Sequence, residues 1–594
     1  MKEYWEIVKA IIEGRGHNLI KYRFFEELWD AIEDPNVKII VLQAPTGSGK
    51  TEAALTPYIY ELLNGYRKWH SLIYVLPTRS LVHNMHTRIC KSIERCINIL
   101  NNPQKIVVNK DYGDPLLTKV FMEGDITVTT YDTLLYSFYG FRSYGHHMLI
   151  SIGKICGSFI VLDEVQLLQD SNWYSLSLIP YHIACLASFG AKILIMTATY
   201  PKILDASIRS VVEAFLSRMQ LSKWEIRKVK VDHKKDRIKR GKLTVQFKDR
   251  DLLSDIENIV SLYEKPILLV FNTVERAVEA FKKLSQKSDS NIILLHSRLV
   301  LKERNWRESI FEERKELNDI IVVATQVVEA GLDFNFRSLA TEIAPIDSLI
   351  QRLGRCARKL DGIATVYLSP DLGKGVYPDR IIELTRKSIS ENLLSKSTSD
   401  IDVSTELVNA VYNEEVIRCL TKPVEVEIEE VQSFVKQFQN KLIYIQREII
   451  RDMAQYLLRL GVELKCILLS SRIYHAILTH LETEGNGQFH IDTKLINDIL
   501  GNTFSIGLQL TRKQVRIPAL QHKINDVYYY IPIIINREPK QEKLIINFYK
   551  YSSLQSLLKK FLGRNFFLVV NPVYYEYQVI DNKYYDLGLV KIYG

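Results

Sequence analysis

The strongest constraint on this chain is a repeated rhythm: a short run of Val, Ile and Leu, a polar motif at its end, then a helical stretch. Early in the chain the runs are VKIIVLQ (37–43), LIYVLP (72–77), ITVTT (126–130), FIVLD (159–163) and ILIMTAT (193–199). Apolar runs without polar alternation mark strands buried on both faces, and strands separated by helices pair in parallel. The rhythm predicts an α/β doubly wound sheet with its working groups at the carboxyl ends of the strands. It restarts in PILLVFN (266–272), NIILLHS (291–297), DIIVVAT (319–325) and IATVYLS (363–369), so two modules in tandem are expected. Between them, WEIRKVKVDHKKDRIKRGK (224–242) is dense in Lys and Arg and reads as the edge of a linker.

The 594 residues exceed what one hydrophobic core can serve. The expected division is a first module over 1–220, a basic linker over 221–245, a second module over 246–395 and an accessory domain over 396–594. Past residue 400 helical patterns run to about 480, and the tyrosine clusters VYYYIPIII and NPVYYEYQVIDNKYYDLGL follow. Those clusters read as strands of a smaller mixed α+β domain, with base stacking on tyrosine as the alternative.

Composition excludes more than it assigns. A content of 47% hydrophobic and 25% charged residues is that of a globular protein, and a net charge of +9 fits an acidic polymer as partner without proving one. The seven cysteines form no C-x-x-C pair and no zinc-spaced cluster, which suits reduced thiols in a cytoplasm. The opening MKEYWEIVKA has charges where a signal peptide needs an apolar stretch. The apolar segment 175–196 is long enough to span a bilayer. Pro180, His182, Gly190 and Lys192 interrupt it, so a buried helix followed by a core strand is expected, with no membrane partner.

The motifs carry the chemistry. APTGSGKT (44–51) places Gly47 and Gly49 between a strand and a helical stretch starting near Lys50. Glycines let the segment Pro45–Thr46–Gly47–Ser48–Gly49 curl so that the backbone N–H groups after Pro45 face a phosphate at a helix amino terminus. Lys50 would reach the β- and γ-phosphates of ATP, and the Thr51 hydroxyl would bind Mg²⁺. About 110 residues on, VLDEVQ ends a strand; Asp163 suits Mg²⁺, and Glu164 suits the base that activates water. In DSLIQRLGRCARK, Arg352, Arg355 and Arg358 recur every three residues, on one helix face with Gln351 adjacent. Alone that is a solvated face; across a cleft from a P-loop, such arginines neutralise the transferring phosphoryl group.

Further polar groups sit at strand ends: Thr78 and Arg79, Thr130, Asn272 and Thr273, His296 and Arg298, and Thr325. Hydroxyls and arginines there suit the grip of a nucleic-acid backbone, although Ser and Thr at strand ends also cap helices.

Taken in order, these motifs resemble the superfamily-two helicases over roughly residues 20 to 370, a fold of two tandem RecA-like domains. APTGSGKT resembles motif I, LPTRS motif Ia, DEVQ motif II, TAT (197–199) motif III, FNTVERA motif IV, TQVVEAGLDF motif V and QRLGRCAR motif VI. Within that superfamily the wording is most similar to the CRISPR-associated helicase of type I systems. The resemblance implies an ATP- and Mg²⁺-dependent motor on single-stranded DNA, moving three-prime to five-prime and recruited by an RNA-guided surveillance complex. It also implies that Lys50, Thr51, Asp163, Glu164, Gln351, Arg355 and Arg358 serve ATP, with Gly331 and Asp333 near the nucleotide. Thr197 and Thr199 would couple hydrolysis to DNA grip, and Gln166 would bridge the modules where much of the family has His.

Two departures matter. None of the thirteen histidines is followed by Asp, so cutting is expected from a separate HD nuclease chain. Arg23 and Phe24/Phe25 stand where an adenine-reading Gln would fall. A DNA-repair or RNA helicase with the same core, and an ATP-gated clamp that recruits a nuclease, remain as alternatives.

Overall fold

The computed structural model describes residues 2–13, 21–45, 47–100, 105–112, 121–142, 148–218, 224–231, 240–286, 291–313, 319–329, 334–440, 457–459, 462–492, 501–508, 518–525, 527–537, 543–554, 556–557, 566–580 and 583–589. Among them, the first module is one seven-stranded sheet. Its strands are β1 (Val37–Gln43), β2 (Leu72–Leu76), β3 (Val108–Asp111), β4 (Ile126–Thr130), β5 (Phe159–Asp163), β6 (Lys192–Thr197) and β7 (Glu225–Lys230). They lie in the order β3-β4-β2-β5-β6-β1-β7, with every pairing parallel. The second module has β8 (Leu243–Lys248), β9 (Ile267–Val270), β10 (Asn291–Leu295), β11 (Ile320–Ala324), β12 (Ser338–Glu342) and β13 (Gly362–Tyr367). Their order is β10-β11-β9-β12-β13-β8, again all parallel. The two RecA-like sheets expected from the rhythm are present.

The segment read as a linker is different. β7 is the outer strand of the first sheet and β8 the outer strand of the second, so 221–245 contains an edge of each module. An edge strand has one half-solvated side. β7 accordingly buries only Val229 of its six residues, and its charges concealed it. Segment 175–196 forms the helix Tyr174–Ser188 and then β6, as its breaks require, and no helix among the described residues is long and apolar enough to cross a membrane.

Beyond the second sheet the expected accessory domain is in two parts. The helices Ile401–Val411, Glu414–Thr421 and Glu425–Asn440 share the hydrophobic core of both sheets. Phe434 and Phe438 pack against Tyr139 in tilted and edge-on arrangements, with ring centroids 5.3 and 4.8 Å away. A mixed six-stranded sheet with its own cores follows. It comprises β14 (Val462–Ile467), β15 (Gly487–Asp492), β16 (Thr503–Leu508), β19 (Pro532–Arg537), β20 (Lys543–Phe548) and β21 (Phe567–Val569), in the order β15-β20-β19-β21-β14-β16. The hairpins β17 (Gln521–Ile524) with β18 (Val527–Tyr530), and β22 (Tyr575–Ile580) with β23 (Lys583–Leu589), flank it. The tyrosine clusters therefore do build strands.

Three buried histidines fasten this carboxyl half. The Nε2–H of His182 donates to Leu457 O (2.8 Å), that of His296 to Leu587 O (2.9 Å) and that of His522 to Val569 O (2.9 Å). Each Nδ1 accepts in turn: from the Tyr139 hydroxyl, the Arg298 N–H and the Tyr474 hydroxyl. Both ring nitrogens are used only in the neutral tautomer, and burial pushes the pKa values down to about 4, 3 and 4. His296 is thus not a nucleic-acid contact; it holds the β22–β23 hairpin on the second sheet, aided by Arg307 donating to Asp586 O at 2.7 Å. In histidine-selective NMR these three rings will stay neutral and Nε2-protonated down to pH 5. A His296 that protonates above pH 5 would contradict this docking.

Candidate active site between the two parallel sheets

Sheet order assembles the site. β5, β6 and β1 are adjacent, so Asp163, Thr197 and the loop after Gln43 emerge side by side although the sequence separates them. The loop leads into the helix Lys50–Leu63, which opens on Gly49 at φ +89; Gly47 has φ +80. Those left-handed angles turn successive N–H groups toward one point, and only glycine takes them without strain. Behind Gly49 stands Phe25: a Cβ at position 49 would lie 3.2 Å from its Cζ. Arg23 instead faces outward, paired with Glu27 at 2.7 Å. Ser48 turns inward and donates to Pro45 O at 2.8 Å.

Lys50 is buried, its Nζ 3.7 Å from Glu164 Oε1 and without a hydrogen-bond partner among the described residues. Asp163 is buried. Its Oδ2 accepts from the Tyr74 hydroxyl (2.6 Å), while Oδ1 has no partner. Burial raises its pKa to about 6; Glu164 adds to that rise, and Lys50 and Tyr74 oppose it. Glu164 sits at φ +52, a conformation costing a non-glycine residue roughly 1–3 kcal/mol and concentrated at functional sites. Its other oxygen accepts from Gln166 Nε2, and Gln166 Oε1 accepts from the Thr197 hydroxyl at 2.6 Å. Thr197 in turn accepts from the Thr199 N–H at 3.2 Å. A cation, two carboxylates and a polar relay thus stand in one file.

The orphaned Lys50 Nζ, Asp163 Oδ1 and Thr199 Oγ1 fit a polyphosphate with a divalent cation, because each is a buried group whose partner must be charged or polar. Thr51 and Asp163 are the residues that could hold the cation through oxygen. No cluster of three or more His, Cys, Asp or Glu could hold a metal by itself among the described residues.

The second module faces this file. Gln351 is buried with neither amide atom bonded, and it lines a void of about 20 Å³ with Pro45 and Ala198. Arg358 lines a cleft of about 1240 Å³, along with Thr78, Gln166, Thr325 and Asp347. The three arginines do not share a helix face. The helix Ile346–Leu353 ends before Arg355, Cys356 bridges to Phe336, and Ala357 turns to φ +55. Arg352 is wholly buried inside its own module, bonded to Glu329 (2.8 Å), Thr341 (2.9 Å) and Asn272 (3.1 Å). Arg355 donates to Glu329 O, and Arg358 donates to Gly354 O at 3.1 Å.

Several expected grips have other tasks. Thr130 and Thr273 cap helices, accepting from the Thr133 and Arg276 N–H groups at 3.3 Å. Asn272 is buried, bonded to Arg352 and to Ile343 O (2.8 Å). Thr78 is exposed, Arg79 is half-buried, Arg298 pairs with Glu275 at 2.9 Å, and Thr325 is buried at the cleft wall. Thr46, Gly331 and Asp333 lie outside the described residues. Tyr74 and Glu329 escaped sequence reading. Tyr74 is hidden inside an apolar strand, and Glu329 inside a motif whose other letters drew the attention.

The fold and site are similar to one class, the core of a superfamily-two helicase. The family model for DEAD/DEAH box helicases matches residues 22–206, and that for the C-terminal part of the CRISPR-associated nuclease/helicase Cas3 matches 263–361. Within the class, the chain resembles the Cas3 helicases. It is 29% identical over 395 residues to the CRISPR-associated helicase Cas3 of Thermoproteus tenax, covering 64% of each chain. It is 25% identical over 530 residues to the CRISPR-associated nuclease/helicase Cas3 of Methanothermobacter thermautotrophicus, covering 83% of this chain and 59% of that one. The crystal structure of T. fusca Cas3 with ADP superposes with a TM-score of 0.55 at 16% identity, over 82% of this chain and 64% of that one. The chain thus spans about three fifths of the relatives it matches.

Gly49→Ala tests the loop. A side chain there faces both the left-handed angle and Phe25, so affinity for a fluorescent ATP analogue will fall about tenfold or more, the equivalent of 1–2 kcal/mol. Unchanged affinity in an equilibrium titration would contradict the site.

Proposed function

We propose that this chain is an ATP-driven motor on single-stranded DNA that serves type I CRISPR interference. One observation carries the reading: the file Lys50–Glu164–Gln166–Thr197–Thr199 runs from the phosphate loop to the end of β6 and faces Gln351 across the module boundary. Lys50 and the loop N–H groups hold the β- and γ-phosphates, and Thr51 with Asp163 holds Mg²⁺. That ion, when bound, neutralises charge developing on the phosphates. Glu164, lodged between Lys50 and Gln166, orients water and takes its proton. Gln351, Arg355 and Arg358 bring donors from the second module to the same phosphates, where such charge contributes about 10³–10⁵ in rate. Gln166, Thr197 and Thr199 transmit the change to strand ends where Thr78, Arg79, Arg298 and Thr325 grip a backbone.

The net charge of +9 suits a polyanionic track. The relatives' names connect them with CRISPR, which supports an RNA-guided surveillance complex as the partner that delivers DNA. Cutting is assigned to an HD nuclease outside these residues.

Strand displacement tests the proposal. With ATP and Mg²⁺ the chain will unwind DNA bearing a three-prime overhang and not a five-prime one, and Glu164→Gln will lower the rate at least about 100-fold. Unwinding confined to RNA would overturn the DNA assignment. Turnover of ATP without displacement of any strand would make the chain a clamp.

A further inference from the structure

Tyr412 lies outside both regions that the family models match, at the end of the helix Ile401–Val411. It is buried, and its hydroxyl meets both modules. It donates to Asp347 Oδ1 at 2.7 Å and accepts from Gln169 Nε2. The directions are forced, since a carboxylate only accepts and the amide nitrogen only donates. Burial and the Asp347 charge hold the phenol pKa well above its ordinary value, so the proton stays on the tyrosine.

Each partner leads directly to one half of the site. Gln169 closes the turn Val165–Leu168 that begins at Glu164, its N–H bonded to Gln166 O at 3.1 Å. Asp347 stands in the first turn of the helix Ile346–Leu353, one turn before Gln351. The Tyr412 ring packs on Trp173, centroids 4.9 Å apart, which fixes where the hydroxyl points. Its helix is anchored along its length to the first module. Gln43, the last residue of β1, donates to Thr405 Oγ1 at 2.8 Å, and the Lys202 N–H donates to Asn409 Oδ1 at 2.8 Å.

We propose that Tyr412 is a positioning residue for ATP hydrolysis, its hydroxyl setting the separation between the Glu164 turn and the helix that carries Gln351. The inference rests on the ATPase reading above and adds a residue from a third element that touches neither phosphate nor water. A helix on neither sheet then governs how the two faces of the nucleotide site meet, and the carboxyl half of the chain gains a direct line to the chemistry.

The test is Tyr412→Phe in the full chain, which keeps the ring on Trp173 and removes one oxygen. At saturating single-stranded DNA, kcat for ATP will fall roughly tenfold, the size of one hydrogen bond to a charged partner. The affinity for a fluorescent ATP analogue and the thermal midpoint will stay at wild-type values. Gln169→Leu leaves the tyrosine in place and will act alike, and the double variant will be no worse than either single one, since both cut the same bridge. Wild-type kcat in Tyr412→Phe, or losses that multiply in the double variant, would overturn the inference. So would a lowered midpoint with kcat and affinity falling together, which marks a merely structural role. Wild-type turnover no higher than that of Lys50→Ala would overturn the ATPase reading and this inference with it.

Discussion

The structure depends on parallel pairing around β6. Because β5, β6 and β1 are neighbours, a buried carboxylate, a buried ammonium and a threonine pair meet at the carboxyl ends of the strands. Burying such charges costs several kcal/mol per ion unless each finds a partner. Asp163 answers in part through Tyr74 and Lys50 through Glu164, and both keep an unanswered atom. The first sheet is thus built with a charge deficit at one end, which a bound polyphosphate and cation would remove.

The second module handles charge in the opposite way. Arg352 is saturated by Glu329, Asn272, Thr341 and Tyr377, and none of these contacts leaves the module. A saturated arginine makes the strand-end loops rigid without contributing to the cleft. Past the end of the helix, Arg358 lines the cleft, and Gln351 lies beside Pro45. One module therefore presents unmet charge on a fixed frame, while the other presents donors on a turn.

Strands buried on both faces were legible as apolar runs, and the P-loop and the acidic pair were legible as motifs. What escaped has physical causes. β7 and β8 lie at sheet edges, where half the residues meet water and the apolar run disappears. β12, SLATE, is wholly buried yet contains no Val or Ile. The three-residue spacing of the arginines suggested a helix face, but the chain leaves the helix at Gly354. His296 looked like a strand-end grip because its partner, Leu587, lies 291 residues away. Tyr412 was invisible for the same reason, its partners being 65 and 243 residues distant. Local pattern reports an element and its exposed motif, whereas long-range hydrogen bonds decide which polar residues are free to act.

The central claim is that the file beginning at Lys50 is a working ATPase engaged with a DNA track. Steady-state ATP turnover, measured with and without single-stranded DNA and with Lys50→Ala as the blank, tests it most directly. The account predicts turnover that DNA raises by about tenfold or more, and that Lys50→Ala removes in both conditions. Turnover that ignores DNA, or that survives Lys50→Ala, would contradict it.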